Sequence, residues 1–241
     1  MNTYELKQFP TDKELARTAA KDFTAQIEQA NQQGSQLLVA LSGGRITKQF
    51  FIFTMEEIQR SNTSMDLIHF FWADERCVAP EHPDSNFALA NEFLFEPLQL
   101  KPENIHRLKG ELPSEEAVAN ANAELQKLAS EQNRSAELDL ILLGMGEDGH
   151  VASLFPNATL ETIQCTTPFL AINNSPKPPP ERLSLSFAAI KTAKDVWVLA
   201  SGSGKETALR QSLKPGAPET PLARVLQSRG TSSIYTDLNL T

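Results

Sequence analysis

The sequence predicts an α/β protein built on a mainly parallel sheet. Four segments share the same succession of patterns: a short apolar run, a turn with glycine or charged residues, and a helical pattern or glycine loop. No internal repeat is present, and the only biased segment, the proline-rich residues 175–180, is predicted as an extended loop. The 241 residues are therefore expected to form one domain, residues 1–241.

The first predicted element is an amphipathic helix over residues 11–33. Thr11 or Asp12 can cap its start and Gly34 can end it. Apolar residues recur at every fourth position, at Leu15, Ala19, Phe23 and Ile27.

The four repeated units follow along the chain. Their strands are predicted at 37–41, 68–72, 138–143 and 196–200. The helices that follow these strands are predicted at roughly 47–60, at 85–95, as a short helix that ends before Pro156, and after residue 205. Between them the pattern predicts a helix at about 114–133 and strands at 169–172, 182–187 and 233–236. Ligands of open α/β sheets bind beyond the carboxyl ends of the strands, so the site is expected in the loops that follow them.

The first of these loops is Ser42, Gly43, Gly44 and Arg45. Its small residues, hydroxyl and guanidinium before a helix suit a phosphate, although two glycines can equally make a simple tight turn. No Gly-x-Ser-x-Gly pattern surrounds Ser42, so a serine nucleophile is not expected.

The second loop places Asp74, Glu75 and Arg76 directly after an aromatic strand. Charges at the mouth of a sheet need partners, and either a structural ion pair or a ligand would provide them.

The third loop, residues 144–150, formally matches Gly-x-Gly-x-x-Gly. A dinucleotide site is not favoured, because Pro156 follows soon and no acidic residue ends the strand at 169–172. The glycines are instead expected to aim Asp148 and His150. Neighbouring carboxylates would orient the imidazole and stabilise its protonated form, as in a general base, and the alternative is a helix-capping histidine.

The fourth loop, residues 201–205, resembles half of a phosphate-binding loop that ends in Lys205. It lacks the first glycine and the final hydroxyl of a nucleotide-triphosphate loop, so it is expected to hold one phosphate at most. Arg182 could join it, and the alternative is that each is an ordinary surface cation.

Composition limits the partners. The net charge of −8 argues against general binding of nucleic acid or anionic membranes. Two distant cysteines, apolar runs too short to span a bilayer and a polar N-terminus favour a soluble, cytoplasmic protein. The scattered histidines do not favour a metal site.

Five blocks of the sequence resemble the glucosamine-6-phosphate isomerase/6-phosphogluconolactonase family, and within it the lactonases. They are SGG at 42–44, WADER at 72–76, GMGEDGHVASLFP at 144–156, SPKPPPER at 175–182 and GK at 204–205. The resemblance covers nearly the whole chain. It implies a Rossmann-like three-layer α/β/α sandwich and a cytosolic enzyme that hydrolyses 6-phosphoglucono-1,5-lactone in the pentose phosphate pathway, without a metal or organic cofactor. The implied partner is a small sugar phosphate, bound by a monomer or small homo-oligomer.

The resemblance also implies roles for residues. His150 is the expected base that activates water, with Asp74 and Asp148 as polar partners. The expected ligand-binding cations are Arg76, Arg182 and Lys205, and residues 42–44 are expected to surround the sugar phosphate.

The sequence departs from the family pattern in two places. Arg45, Ile46 and Thr47 replace Ser-Thr-Pro, and Val151 replaces a threonine. We expect Arg45 to supply a charged donor in place of the lost hydroxyls. Two other functions stay open at this point: a non-catalytic sugar-phosphate binding protein, and a deaminase or isomerase, which would need an acidic residue that positions 153–155 do not supply.

Overall fold

A six-stranded parallel sheet forms the centre of the computed structural model, which describes residues 3–216 and 219–240. The strands are β1 Thr3–Gln8, β2 Leu37–Leu41, β3 Ile68–Trp72, β4 Asp74–Arg76, β5 Leu140–Gly144, β6 Phe169–Ile172, β7 Arg182–Leu185, β8 Asp195–Ala200 and β9 Thr231–Thr236. The main sheet has the order β1-β9-β8-β5-β2-β3, with every neighbouring pair parallel.

Helices flank this sheet. All five residues of β3 are buried, which requires cover on both faces. On one face Phe23 packs against Phe50 and Phe70, with ring centroids 5.6 and 6.5 Å away. The helices are α1 Asp12–Gln33, α2 Arg45–Ser61, α3 Asn86–Ala90, α4 Ser114–Glu131, α5 Leu160–Gln164, α6 Phe187–Thr192, α7 Glu206–Ser212 and α8 Pro221–Ser228. These features confirm the predicted α/β class with a mainly parallel sheet.

Two features of the topology position the site. The parallel strands β2, β5 and β8 are neighbours, so the loops that follow them lie side by side at the carboxyl ends of the strands, which we call the carboxyl edge of the sheet. A second, antiparallel sheet has the order β4-β7-β6 and pairs Arg76 with Arg182. Residues from four distant stretches of chain therefore meet at this edge.

Most predicted elements are confirmed. Helix α1 has Thr11 as its cap, whose side chain accepts from the Glu14 N–H, and it ends at Gly34 in the left-handed conformation. Helix α2 begins at Arg45, two residues before its predicted start. The strand predicted at 138–143 is found two residues later at its start, as β5.

Other elements differ from the prediction. Residues 151–155 form turns and isolated bridges in place of the short helix, because Ala152 adopts a positive φ of 48° that no α-helix contains. Residues 74–76, predicted as a loop, form strand β4. The strand predicted at 182–187 ends at Leu185, and helix α6 begins at Phe187. The sequence patterns do not predict β1, α5, α6 or α8. Among residues 3–216 and 219–240, no helix is long and apolar enough to cross a membrane.

Candidate active site

The centre of the site is a contact between His150 and Asp148. The imidazole Nδ1 lies 2.5 Å from Asp148 Oδ1, and the backbone N–H of His150 donates to the same oxygen at 3.2 Å. An ionised carboxylate accepts only, so the proton is assigned to Nδ1 and the lone pair to Nε2. His150 can therefore accept a proton at Nε2.

Gly146 makes room for this pair. A Cβ at this position would lie 2.1 Å from both Nδ1 and Cε1 of His150 and 2.6 Å from Asp148 Oδ1. Its backbone N–H donates to the His150 carbonyl at 2.9 Å, which closes the turn. The turn and the missing side chain together place the imidazole against the carboxylate.

The pKa values of the two groups favour a neutral base beside an anion. Burial lowers the pKa of His150, and the Asp148 contact raises it only in part, so the net pKa lies below its ordinary value. The carboxylates do favour the protonated imidazole, as the sequence predicts, but in the resting protein burial outweighs their effect on the pKa. Burial raises the pKa of Asp148, but the His150 contact outweighs burial and the net pKa is lowered.

Asp74 lies buried beside this pair and is held from several sides. The hydroxyl of Ser153 donates to its Oδ2 at 2.8 Å, and Asn86 Nδ2 donates to its backbone carbonyl at 2.9 Å. Arg182 Nη1 lies 4.0 Å from Oδ2. The charge of Asp74 also reaches His150, where it raises the pKa of the imidazole.

Glu75 has a different role from its neighbour. Its carboxylate accepts from the backbone N–H groups of Arg76, Asn86 and Phe87 at 2.7 to 2.8 Å and from the Ser85 hydroxyl at 3.0 Å. Burial raises its pKa despite these donors. Glu75 therefore fixes the segment that carries Asn86.

Arg182 lies beside Asp74, and Arg76 is its cross-strand partner. Arg182 is buried and donates through Nε and Nη2 to the carbonyls of residues 177–179 at 2.9 to 3.2 Å. Arg76 donates through Nη1 to the Asp84 carbonyl at 2.5 Å. Burial lowers the pKa of Arg182, and the charge of Arg76 lowers it further. Two cations held this close favour an anionic ligand.

Arg45 and Lys205 line a cavity of about 380 Å³ on the other side of the loops. Arg45 passes over Gly202, where a Cβ would lie 2.8 Å from its Nη2. Burial lowers the pKa of Lys205, and the charge of Arg45 lowers it further. The remaining lining residues are Ile46, Glu147, Ser201, Gly202, Ser203 and Gly204.

Two further observations indicate an anion at this end of the site. Helix α2 has no side chain that caps its N-terminal N–H groups, so these donors and the positive end of the helix dipole face the loop. The hydroxyl of Ser42 is buried and has no hydrogen-bond partner among residues 3–216 and 219–240. Gly44, with a φ of 106°, makes the turn between them.

A larger cavity, of about 880 Å³, lies at the opposite edge of the sheet. It is lined by residues such as Gln26, Gln33 and Gln132, and its two cations, Arg134 and Lys194, are paired with Asp139 at 2.8 and 2.6 Å. It is distant from His150, and the chemistry assigns the candidate site to the other edge.

The structure thus brings every predicted site residue to one edge of the sheet, in two groups around His150. It adds three residues that sequence reasoning did not assign: Asn86, Ser153 and Lys177. Lys177 Nζ lies 4.0 Å from Asp148 Oδ1. It belongs to the proline-rich segment that the sequence does single out, whereas no sequence pattern points to Asn86.

The fold and the site define an α/β protein with a parallel sheet, a histidine–carboxylate pair and clustered cations at the carboxyl ends of the strands. Sequence comparison is more specific. Residues 10–234 match the family described as glucosamine-6-phosphate isomerases/6-phosphogluconolactonase. The chain belongs to this family, as the resemblance in its motifs predicts.

Individual relatives agree with this assignment. The chain is 30% identical to a 6-phosphogluconolactonase from Aggregatibacter actinomycetemcomitans, over 95% of each chain. It is 32% identical to a probable chloroplastic 6-phosphogluconolactonase 3 from Oryza sativa, covering 95% of this chain and 72% of the relative. The solved structure of a 6-phosphogluconolactonase from Thermotoga maritima superimposes with a TM-score of 0.81 at 25% identity, covering 97% and 99% of the two chains.

Proposed function

We propose that this chain hydrolyses the ring ester of 6-phosphoglucono-1,5-lactone to 6-phosphogluconate, a step of the pentose phosphate pathway. The observation that carries the proposal is the 2.5 Å contact between His150 and an ionised Asp148, with clustered cations on both sides. The relatives named above are lactonases, which supports the same reaction. The composition favours a cytoplasmic enzyme, although one of these relatives is chloroplastic.

His150 starts the reaction in this scheme. Its Nε2 takes a proton from a water molecule while the water oxygen bonds to the lactone carbonyl carbon, and the carbonyl becomes an oxyanion. Asp148 balances the imidazolium that forms. Collapse of the oxyanion breaks the bond to the ring oxygen, which takes the proton from His150, and the new carboxylic acid releases its proton to solvent.

The loops bind the two ends of the substrate. Arg45, Lys205 and the N-terminus of α2 hold the phosphate, because they line one cavity. The buried hydroxyl of Ser42 in the preceding loop is a further donor. Arg76 and Arg182 are ligand-binding cations beside Asp74, and backbone N–H groups of the loops stabilise the oxyanion.

Position 153 bears on the deaminase alternative. Ser153 is fully buried and its hydroxyl donates to Asp74, so this position supplies no acid to a substrate. The position instead holds the Asp74 carboxylate.

The test is acid release from freshly made 6-phosphogluconolactone, with a buffer blank subtracted at each pH because the lactone also opens spontaneously. His150→Asn should lower kcat by about 10²- to 10⁴-fold while leaving product binding intact. Because the pKa of His150 is lowered, kcat/KM of the wild type should fall only as the pH drops below about 6.5, the ordinary value. Near-wild-type turnover of the variant would exclude His150 as the base, and binding of 6-phosphogluconate without turnover by the wild type would indicate a binding protein.

A further inference from the structure

Lys177 lies next to the His150–Asp148 pair, a contact that no sequence pattern predicts. Its Nζ is 4.0 Å from Asp148 Oδ1, the same oxygen that contacts His150 Nδ1. The side chain is about half exposed, at 48%, and its charge reaches both His150 and Lys205. The ammonium group therefore lies between the pair and the cavity.

The loop that carries Lys177 is held firmly. Arg182 donates to the carbonyls of three consecutive residues, 177–179, from its buried position. Ser175 accepts from the Lys177 N–H at 3.2 Å and donates to its carbonyl at 2.8 Å. Five hydrogen bonds thus fix the backbone from which the lysine extends.

The charges that face His150 come from three elements. Asp148 lies on its own loop, Asp74 on β4 and Lys177 on the proline-rich loop, while the contacting ring of Phe155 is uncharged. Both carboxylates favour the imidazolium, and Lys177 is the one cation among these groups that opposes them. Burial acts in the same direction as Lys177.

We propose that Lys177 is a functional residue of this site: residues 175–180 hold its ammonium group 4.0 Å from the Asp148 carboxylate, where its charge acts on the His150–Asp148 pair. It acts through the pair and is therefore a positioning residue. A role of Lys177 in catalysis rests on the proposed function, whereas its effect on the protonation of His150 does not. Without the charge of Lys177, the two carboxylates would stabilise the imidazolium more strongly, and a larger fraction of His150 would be protonated near neutral pH. A protonated His150 cannot accept a proton from water.

The test is an NMR titration of the His150 ring in the unliganded protein, with His150→Asn used to identify its resonance. Lys177→Gln should raise the titration midpoint by about half a pH unit, the effect of one partly screened charge. Lys177→Arg keeps the charge and should leave the midpoint in place. Lys127→Gln is the matched control, since it removes the same charge from an exposed position on α4.

The activity assay gives a second readout. The acid limb of kcat/KM should move upward with the midpoint in Lys177→Gln, with affinity for 6-phosphogluconate reduced less than three-fold. An unchanged midpoint in Lys177→Gln, or an equal shift in Lys177→Arg, would overturn the proposal. If the midpoint shifts but the wild type has no lactonase activity, the proposed function fails and the assignment of Lys177 stands.

Discussion

Gly146→Ala tests whether the His150–Asp148 contact carries activity. The added Cβ would lie 2.1 Å from two atoms of the imidazole, whereas ordinary contact begins at 3.4 Å. The ring must therefore move by more than 1 Å, and the 2.5 Å contact with Asp148 cannot survive that shift. The backbone itself is not strained, because Gly146 is not among the residues with positive φ.

The expected loss follows from this displacement. A misplacement of about 1 Å in a catalytic group costs on the order of 10²-fold in rate, or about 2.7 kcal/mol of transition-state stabilisation. Gly144→Ala is the matched control two residues away, because its Cβ would meet only the Gly43 carbonyl at an ordinary 3.7 Å. Its kcat should stay within about three-fold of the wild type.

The measurement is kcat for the lactone, corrected for spontaneous opening, together with the melting temperature of both variants. A Gly146→Ala protein that melts like the wild type and keeps its kcat would refute the role of this contact. Equal losses in both glycine variants would indicate a general disturbance of β5 and its loop.

The remaining predictions concern the cavity between Arg45 and Lys205. Arg45→Ala should weaken 6-phosphogluconate binding by roughly ten-fold, because it removes an exposed charge-assisted contact to the phosphate, and it should change gluconate binding little. Arg45→Ser should recover part of the lost affinity. If calorimetry finds the same 6-phosphogluconate affinity in the wild type and both variants, Arg45 does not bind the phosphate. Glu147→Gln should tighten 6-phosphogluconate binding a few-fold, because the Glu147 carboxylate competes with an anion for Lys205. Weaker binding would show that Glu147 supports the loop, since it also packs against Gly204.

Burial explains which strands the sequence predicts. Strands such as β3 are buried on both faces and read as unbroken apolar runs. Strand β1 is an edge strand and pairs with β9 only, so it can carry charged residues such as Glu5 and Lys7. These charges interrupt the apolar run by which a buried strand is predicted. Strand β4 consists of three charged residues, whose partners come from β7 and from residues 85–87. Helix α8 carries a local start pattern, Thr220 as cap followed by proline, but it is only eight residues long.

Sequence distance explains which site residues can be predicted. His150 and Asp148 are two positions apart in one glycine turn, so their contact is encoded locally. Asn86 reaches Asp74 from twelve positions away, and Lys177 reaches Asp148 from another loop entirely. The Asn86 contact depends on the Glu75 carboxylate, which holds residues 85–87. The Lys177 contact depends on β7, which pairs with β4 in a second sheet and carries Arg182. No local pattern specifies either arrangement.

The distribution of charge connects the site to the stability of the fold. The protein has a net charge of −8, yet five cations, Arg45, Arg76, Lys177, Arg182 and Lys205, gather at one edge of the sheet. Burial lowers the pKa of both Arg182 and Lys205, which means that folding disfavours their charged forms. A bound phosphate would reverse this effect by supplying the opposite charge where solvent is excluded. The cations therefore cost stability in the empty protein, and the same cost makes the site selective for an anion over a neutral sugar.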